Sequence, residues 1–258
     1  MHACLPQLSL RFMPVWRRNF LVWKKLAVPS ILGNLADPML YMLGLGFGIG
    51  HLLHRINGVP YLQFLAGGTI CYSTMNSATF ESLYSAFSRM HVQKTWLAII
   101  NAPLTVDDVV LGEWLWAASK SVLSGLAILL VMAALGLVNS PMVLWVIPLV
   151  ALSGLAFAAM GLVVTALSPS YDFFMYYFTL VVSPMMLLSG VFYPTESLPR
   201  GLRWLAEIMP LTHSIRIARG LIDGHVVPGV VVSLLVLVGY AVVGFVLAVN
   251  LVRRRLLK

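Results

Sequence analysis

Residues 188–220 read LSGVFYPTESLPRGLRWLAEIMPLTHSIRIARG. The stretch is greasy enough to enter a bilayer, yet it holds prolines at 194, 199 and 210 and arginines at 200, 203, 216 and 219. Proline cannot donate the amide hydrogen that continues a helix, and its ring crowds the preceding turn, so each one starts or stops a helical piece. Leu198, Leu202, Leu205 and Ile208 form an apolar face opposite Arg200, Arg203 and Glu207. A second piece, from Pro210 to residue 223, carries His213, Arg216, Arg219 and Asp223. Neither piece exceeds ~14 residues, or ~21 Å of helix, against a hydrocarbon core of ~30 Å. This predicts a re-entrant helical hairpin over 195–223 that enters the membrane and returns to the same side. Its backbone polar groups are safe only where protein or water covers them.

A hairpin of this kind needs a membrane protein around it, and the composition agrees. The 258-residue chain is 60% hydrophobic and only 10% charged, with a mean hydropathy of +0.90. Apolar runs predict six membrane helices at about 31–51, 60–83, 112–136, 142–167, 171–192 and 227–251. The turn-rich stretches HRINGVP, LVNSP and SPSYD divide them. No ten-residue alternation of the kind a barrel strand needs is visible. The fold class is therefore all-α integral membrane: residues 1–30 an amphipathic surface helix and 31–258 a single transmembrane domain. No polar stretch is long enough to fold as a soluble catalytic or nucleotide-binding domain.

A net charge of +8 belongs here with anionic lipid and not with nucleic acid, because cations anchor the ends of membrane helices. With both termini in the cytoplasm, Arg11, Arg17, Arg18, Lys24, Lys25, Arg89, Lys94, Arg253, Arg254, Arg255 and Lys258 lie inside. Only Arg55, Arg200, Arg203, Arg216 and Arg219 lie outside, and Lys120 falls in a span. Cys4 and Cys71 read as incidental reduced thiols. The stretch RFMPVWRRNFLVWKKLA is broken by cations, so the N-terminus is expected to be retained rather than cleaved as a signal peptide.

Two segments are expected at the inner surface. In the first, Phe12, Trp16, Phe20, Trp23 and Ala27 share one helical face, while Arg17/Lys24 and Arg18/Lys25 repeat at spacing seven on another. Such a helix lies flat with its rings down and its cations toward headgroups or a partner subunit. The second, SRMHVQKTWLAIINAPLTVDD, is far longer than a turn between neighbouring helices needs. Arg89, His91, Lys94 and Trp96 suit it to docking in a groove on another protein, or to packing back on its own bundle.

Inside the spans, Thr69, Ser73, Ser77, Glu81 and Ser85 recur at spacing four with Asn76 alongside. Small hydroxyl residues let helices approach closely, and the same ridge could instead form the polar wall of a substrate passage, with Glu81 its most telling member. Asp37 is expected to pair with a basic residue, and Glu113 and Lys120, which share a helix face one heptad apart, could pair with it or with Glu81. The run YDFFMYYF at 171–178 reads either as an interfacial belt or as a stack of Tyr171, Phe174 and Tyr177 or Phe178 toward a pore. His213, Arg216 and Arg219 either bind anionic headgroups or pin the hairpin through Glu207 and Asp223. Six scattered histidines suggest no metal site, and no nucleophile elbow or zinc-protease motif occurs.

The order Leu188-Ser189-Gly190, Pro194, Pro210-Leu211-Thr212-His213 and then Arg219 resembles the signature of the ABC-2 class of transporter permeases. More closely, KKLAVPSILGNLADPMLYMLGLGFG, CYSTMNSATFESLYSAFSRMHVQKTW, NAPLTVDDVV and RRRLLK look like the NodJ branch, whose founding members export lipo-oligosaccharide nodulation signals. The resemblance implies a homodimer of this chain with two copies of a separate ATPase in a bacterial inner membrane. The chain has no G-x-x-x-x-G-K-[ST] motif, so ATP and Mg would sit on the partner and no cofactor on this chain. By the same analogy residues 88–101 would be the coupling helix seated in the ATPase, with Arg89, His91, Lys94 and Trp96 on it. Residues 8–27 would be the interface helix, carrying Trp16, Arg17, Arg18, Trp23, Lys24 and Lys25. The passage would use Ser73, Asn76, Ser77, Glu81, Tyr171, Phe174 and Tyr177, and the hairpin, with Gly190, Pro194, Pro210, His213, Arg216 and Arg219, would shape the exit. The cargo implied is a glycolipid or lipo-oligosaccharide. Drugs or other hydrophobic compounds are the alternative cargo. An ion-coupled carrier would want internal repeats and ionisable groups at mid-membrane.

Overall fold

The computed structural model describes residues 5–257 except 51, 53, 54, 57 and 139. Cys4 and Lys258 therefore lie outside the described residues. A short 3₁₀ turn (Leu10–Phe12) leads into α1 (Met13–Lys24), and α2 (Ala27–Gly48) follows after an 83° bend. Strands β1 (Arg55–Ile56) and β2 (Val59–Pro60) pair as a minimal hairpin turning at Gly58, whose φ of 85° suits glycine. Then come α3 (Tyr61–Phe80), α4 (Thr95–Ile100), α5 (Val106–Ala134) and α6 (Val146–Leu167). The short helices α7 (Asp172–Tyr177) and α8 (Ser183–Leu188) join through a wide π turn into one 17-residue rod. Last are α9 (Arg200–Ile208), α10 (Pro210–Asp223) and α11 (Val230–Leu256).

Among the described residues, three stretches are long and apolar enough to cross a membrane alone: Val106–Ala134, Pro141–Leu167 and Val230–Leu256. The bent pair Leu10–Lys24 and Ala27–Gly48 passes the same test as a unit. The chain is mostly helical and membrane-embedded. The rod Asp172–Leu188 is shorter than the expected 171–192 span: at ~1.5 Å per residue it reaches only ~25 Å.

Helix α6 is the centre of the bundle, packed by α11, α5, α3 and α10, with α2 laid on α3 and α5 and α1 across α5. The core follows this order: Ile70, Met75, Ile128, Met132, Val150, Phe157, Leu211 and Ile215 fill one half, and Leu83, Phe87, Trp96, Leu162, Phe174, Val249 and Val252 the other. Helix α5 starts six residues before its expected boundary because Thr105 caps it. Its hydroxyl accepts from the Asp108 backbone N–H, and the Asp108 carboxylate accepts from the Thr105 N–H in return.

The prolines of the opening stretch act as expected on the backbone. Pro199 precedes α9 and Pro210 opens α10, with the extended residue Met209 between the two helices. Helix α10 is buried along most of its length, whereas α9 buries only Ala206. Gly190 sits at φ 84° in the turn before Pro194. That turn touches α3 so closely that a Cβ on Gly68 would stand 2.6 Å from the Val191 carbonyl oxygen and 2.9 Å from its Cα. Backbone cannot swing aside as a side-chain tip can. Gly68→Ala is therefore expected to cost about 1–3 kcal/mol, read as a lowered melting temperature of the solubilised protein. Gly239→Ala, where the added carbon meets nothing within 4 Å, is the control.

Candidate functional site

At the end of the bundle where the termini meet, charge is buried. Glu81 is 4% exposed and Glu113 1%, a position a carboxylate tolerates only when its lone pairs are taken up by donors. Glu113 accepts from Arg89 Nε (3.0 Å) and Nη2 (2.5 Å), Arg18 Nη2 (3.2 Å) and Trp96 Nε1 (3.1 Å). Glu81 accepts from Arg89 Nη2 (2.9 Å), Trp116 Nε1 (2.8 Å) and Lys120 Nζ (2.8 Å). Burial alone would lower the pKa of Arg89, which lies beyond the expected 60–83 span. The carboxylates of Glu113 and Glu81 outweigh that and hold it above its ordinary value. One node thus ties α1 through Arg18, the end of α3 through Glu81 and Arg89, α4 through Trp96, and α5 through Glu113, Trp116 and Lys120.

Local backbone makes the node possible. Beyond Phe80 the third helix runs on through two π turns, Glu81–Ser85 and Ser88–Val92. A π turn takes one residue more than an α turn, which returns Arg89 to the face of Glu81 although eight residues separate them. The expected single coupling helix over 88–101 is instead an elbow: the π turn ends, Lys94 adopts the left-handed conformation at φ 53°, and α4 starts at Thr95. Arg89 and Trp96 turn into the bundle. His91, stacked on Phe87 at 5.1 Å, stays at the surface with Lys94, Val92 and Leu97.

Helix α1 packs its rings on protein: Trp16, Phe20 and Trp23 surround Trp116 at centroid distances of 6.2, 6.3 and 6.0 Å. Gly112 lets it approach, since a Cβ there would meet Val15 at 2.7 Å. Arg17, Lys24 and Lys25 remain exposed while Arg18 turns inward. The two termini are fastened to the start of α5. The Gln7 N–H donates to Asp107 at 2.7 Å, as does Arg253 Nε, and the Ser9 hydroxyl donates to Asp108 at 2.5 Å. Arg255 donates to the Thr165, Ala166 and Ser168 carbonyls and closes the end of α6. These clamps escaped sequence reading. The Thr105-x-x-Asp108 spacing is a signal that could have found the cap, but nothing in the sequence pointed from Asp107 to Arg253.

The hydroxyl ridge on α3 divides. Ser73 shares a 2.8 Å hydrogen bond with Ser124 in the α3–α5 seam, and Asn34 Nδ2 reaches Ser77 at 3.5 Å. Asn76 alone of the predicted passage residues lines a lateral groove of about 570 Å³ between α2, α3 and the 172–188 rod. Asn34, Asp37 and Ser183 add polar groups to it, and Tyr41, Tyr72, Phe80 and Phe178 supply rings. Asp37 accepts from the Tyr72 hydroxyl at 3.1 Å, not from a basic side chain. Phe174 is fully buried against Tyr84 and Phe87, and Tyr171 joins that cluster. Of the expected aromatic stack, then, Phe178 rather than Tyr177 faces the groove.

At the opposite end the residues of the opening stretch bind α9, α10 and the turn before Pro194 to the bundle. Arg219 donates to the carbonyls of Gly190 (2.6 Å), Val191 (3.3 Å) and Phe64 (3.3 Å), with its guanidinium 3.5 Å over the Phe64 ring. His213 bridges the Ser233 hydroxyl (3.1 Å) and the Glu207 carbonyl (2.9 Å), and Arg216 pairs with the Glu207 carboxylate. Asp223 accepts from Gln63 at 2.8 Å.

A mostly helical, membrane-embedded chain is common to many classes of protein, and the comparisons supply the class: the model of the family described as "ABC-2 type transporter" matches residues 11–222. The chain belongs to that family. It falls in the NodJ-like branch: it is 47% identical to Nodulation protein J of Rhizobium leguminosarum bv. viciae, covering 99% of both chains. It is 46% identical to Nodulation protein J of Rhizobium meliloti (strain 1021), covering 99% of this chain and 97% of that one.

Proposed function

We propose that this chain is the transmembrane subunit of an ATP-driven exporter that moves a glycolipid or lipo-oligosaccharide outward across a bacterial inner membrane. In this reading it crosses six times with both termini in the cytoplasm, α9 and α10 form the re-entrant hairpin on the outer side, and two copies of the chain assemble with two copies of an ATPase. ATP and Mg bind on that ATPase, and this chain does no covalent chemistry. The observation that carries the reading is the charge node. Movement imposed on α4 or α1 cannot leave α3 and α5 behind without stretching ion pairs around buried carboxylates, which is costly. A motor gripping the surface formed by His91, Lys94 and Leu97 would thus be geared to the spans. The groove supports an amphipathic cargo: its rings can pack on sugar faces and acyl chains, while Asn34, Asp37 and Asn76 offer partners to hydroxyls.

The test is reconstitution. The chain is co-expressed with a bacterial ABC ATPase subunit, placed in liposomes, and given a fluorescent lipo-oligosaccharide. Translocation is expected only with both subunits and hydrolysable ATP. Translocation by the chain alone, driven by a proton or sodium gradient, would overturn the proposal.

A further inference from the structure

Two cavities flank α1 and share a wall. The larger, about 800 Å³, is an apolar trough along α1 with cations on its rim, among them Arg11, Arg17 and Lys25. The smaller, about 440 Å³, lies between α1, the π-helical end of α3, and Tyr171. Arg18 and Val22 line both.

Two residues that line the smaller cavity carry unspent donors. Asn19 is 3% exposed, and its Oδ1 accepts from Arg18 Nε and Nη2, which fixes the orientation of its amide. The Asn19 Nδ2 and Arg18 Nη1 atoms are then buried without a hydrogen-bond partner among the described residues. An unsatisfied buried donor costs about 1–3 kcal/mol, more when it is charged. Two of them on adjacent residues at one cavity call for an acceptor. No aspartate or glutamate lines either cavity, and the carboxylates behind Arg89 are already taken up by the node. The missing partner is an anion.

We infer that this is a discrete binding site for an anionic glycerophospholipid, its phosphate held by Arg18 Nη1 and Asn19 Nδ2 and an acyl chain laid in the apolar trough. The continuity of trough and donor cavity selects lipid over free phosphate, because a phosphate alone would leave the trough unused. The placement rests on the proposed function in one respect: α2 is taken as a membrane crossing. The 83° bend then lays α1 in the membrane plane at the level of headgroups. Arg18 also donates to Glu113, so the lipid would bind beside the node.

The test uses the purified full-length chain in detergent without any ATPase, so its outcome is independent of whether the transporter reading holds. The chain is offered equimolar phosphatidylglycerol and phosphatidylcholine with matched acyl chains, and the lipid it retains is counted by native mass spectrometry. Wild type is expected to prefer phosphatidylglycerol by ~10-fold. Asn19→Asp keeps the oxygen that accepts from Arg18 but replaces the free donor with an anion, and the preference should fall to near parity. Val22→Asp puts an anion in the shared wall at a position already 62% exposed, so it should do the same without disturbing the fold. Arg200→Gln, remote from both cavities, should change nothing. Millimolar inorganic phosphate should leave the lipid in place. Displacement by phosphate would overturn the lipid assignment in favour of a free anion. An unaltered preference in both variants would overturn the site. No preference in wild type would overturn the proposal and leave the donors to an acidic segment of a partner protein.

Discussion

Glu113→Gln is expected to destabilise the protein by about 3–5 kcal/mol and to abolish ATP-coupled export. The substitution barely changes shape, so packing is not its mechanism. It removes the charge that faces Arg89 and Arg18 in a site where the carboxylate side chain is fully buried. Arg89 stays mostly buried and Arg18 half-buried while their main counter-charge is gone, and Trp96 Nε1 keeps only a weaker acceptor. Melting of the solubilised protein measures the first effect and liposome transport the second. A second substitution sharpens the argument. Adding Arg89→Gln should recover part of the lost stability, because neighbours in one network do not contribute additively, while transport stays lost. A Glu113→Gln protein that melts and exports like wild type would show that the node is not a mechanical joint.

Gly33→Trp is expected to lower export by at least about tenfold, equivalent to ~1.4 kcal/mol on the barrier, with melting unchanged. Gly33 lines the lateral groove, and a Cβ built on it meets nothing within 4 Å. An indole there occupies space that the protein itself does not fill. Gly239→Trp on α11, equally unobstructed but away from the groove, should transport normally. Were the two variants to export alike, the groove would not be the passage, and the neighbouring rings would be an interfacial belt and nothing more.

The parts of this architecture visible from sequence are those written in local chemistry. Long apolar runs announce α5, α6 and α11. Pro199 and Pro210 mark α9 and α10, and the ring and cation faces of residues 12–27 announce α1. The site was less visible because its determinants are not local. Glu81, Glu113 and Lys120 were each conspicuous as charges at membrane depth, but their pairing depends on Arg89 returning to the Glu81 face, and no residue pattern signals a π turn. The same backbone feature, followed by left-handed Lys94, made one predicted helix into an elbow and drew Arg89 and Trp96 inside. Asp37 was expected to seek a cation and found the Tyr72 hydroxyl, since a hydrogen bond from a neighbouring helix satisfies an oxygen as well as a distant charge would. Asn19, unremarkable between Arg18 and Phe20, became informative only when its buried amide could be inspected.

The wide turns in the third helix make the node a matter of chain length as well as of residue identity. A plain α-helix advances about 100° per residue. Deleting one amino acid between Glu81 and Arg89 would let the wide turn relax into regular geometry at spacing seven, about 700° of rotation, which keeps Arg89 within roughly 20° of the Glu81 face. Every charged side chain of the cluster would still be present in such a protein, and its ion pairs would stay within reach. Relatives that lack one residue here can therefore keep the joint on a plain helix, whereas those with this chain's spacing need a wide turn to make it.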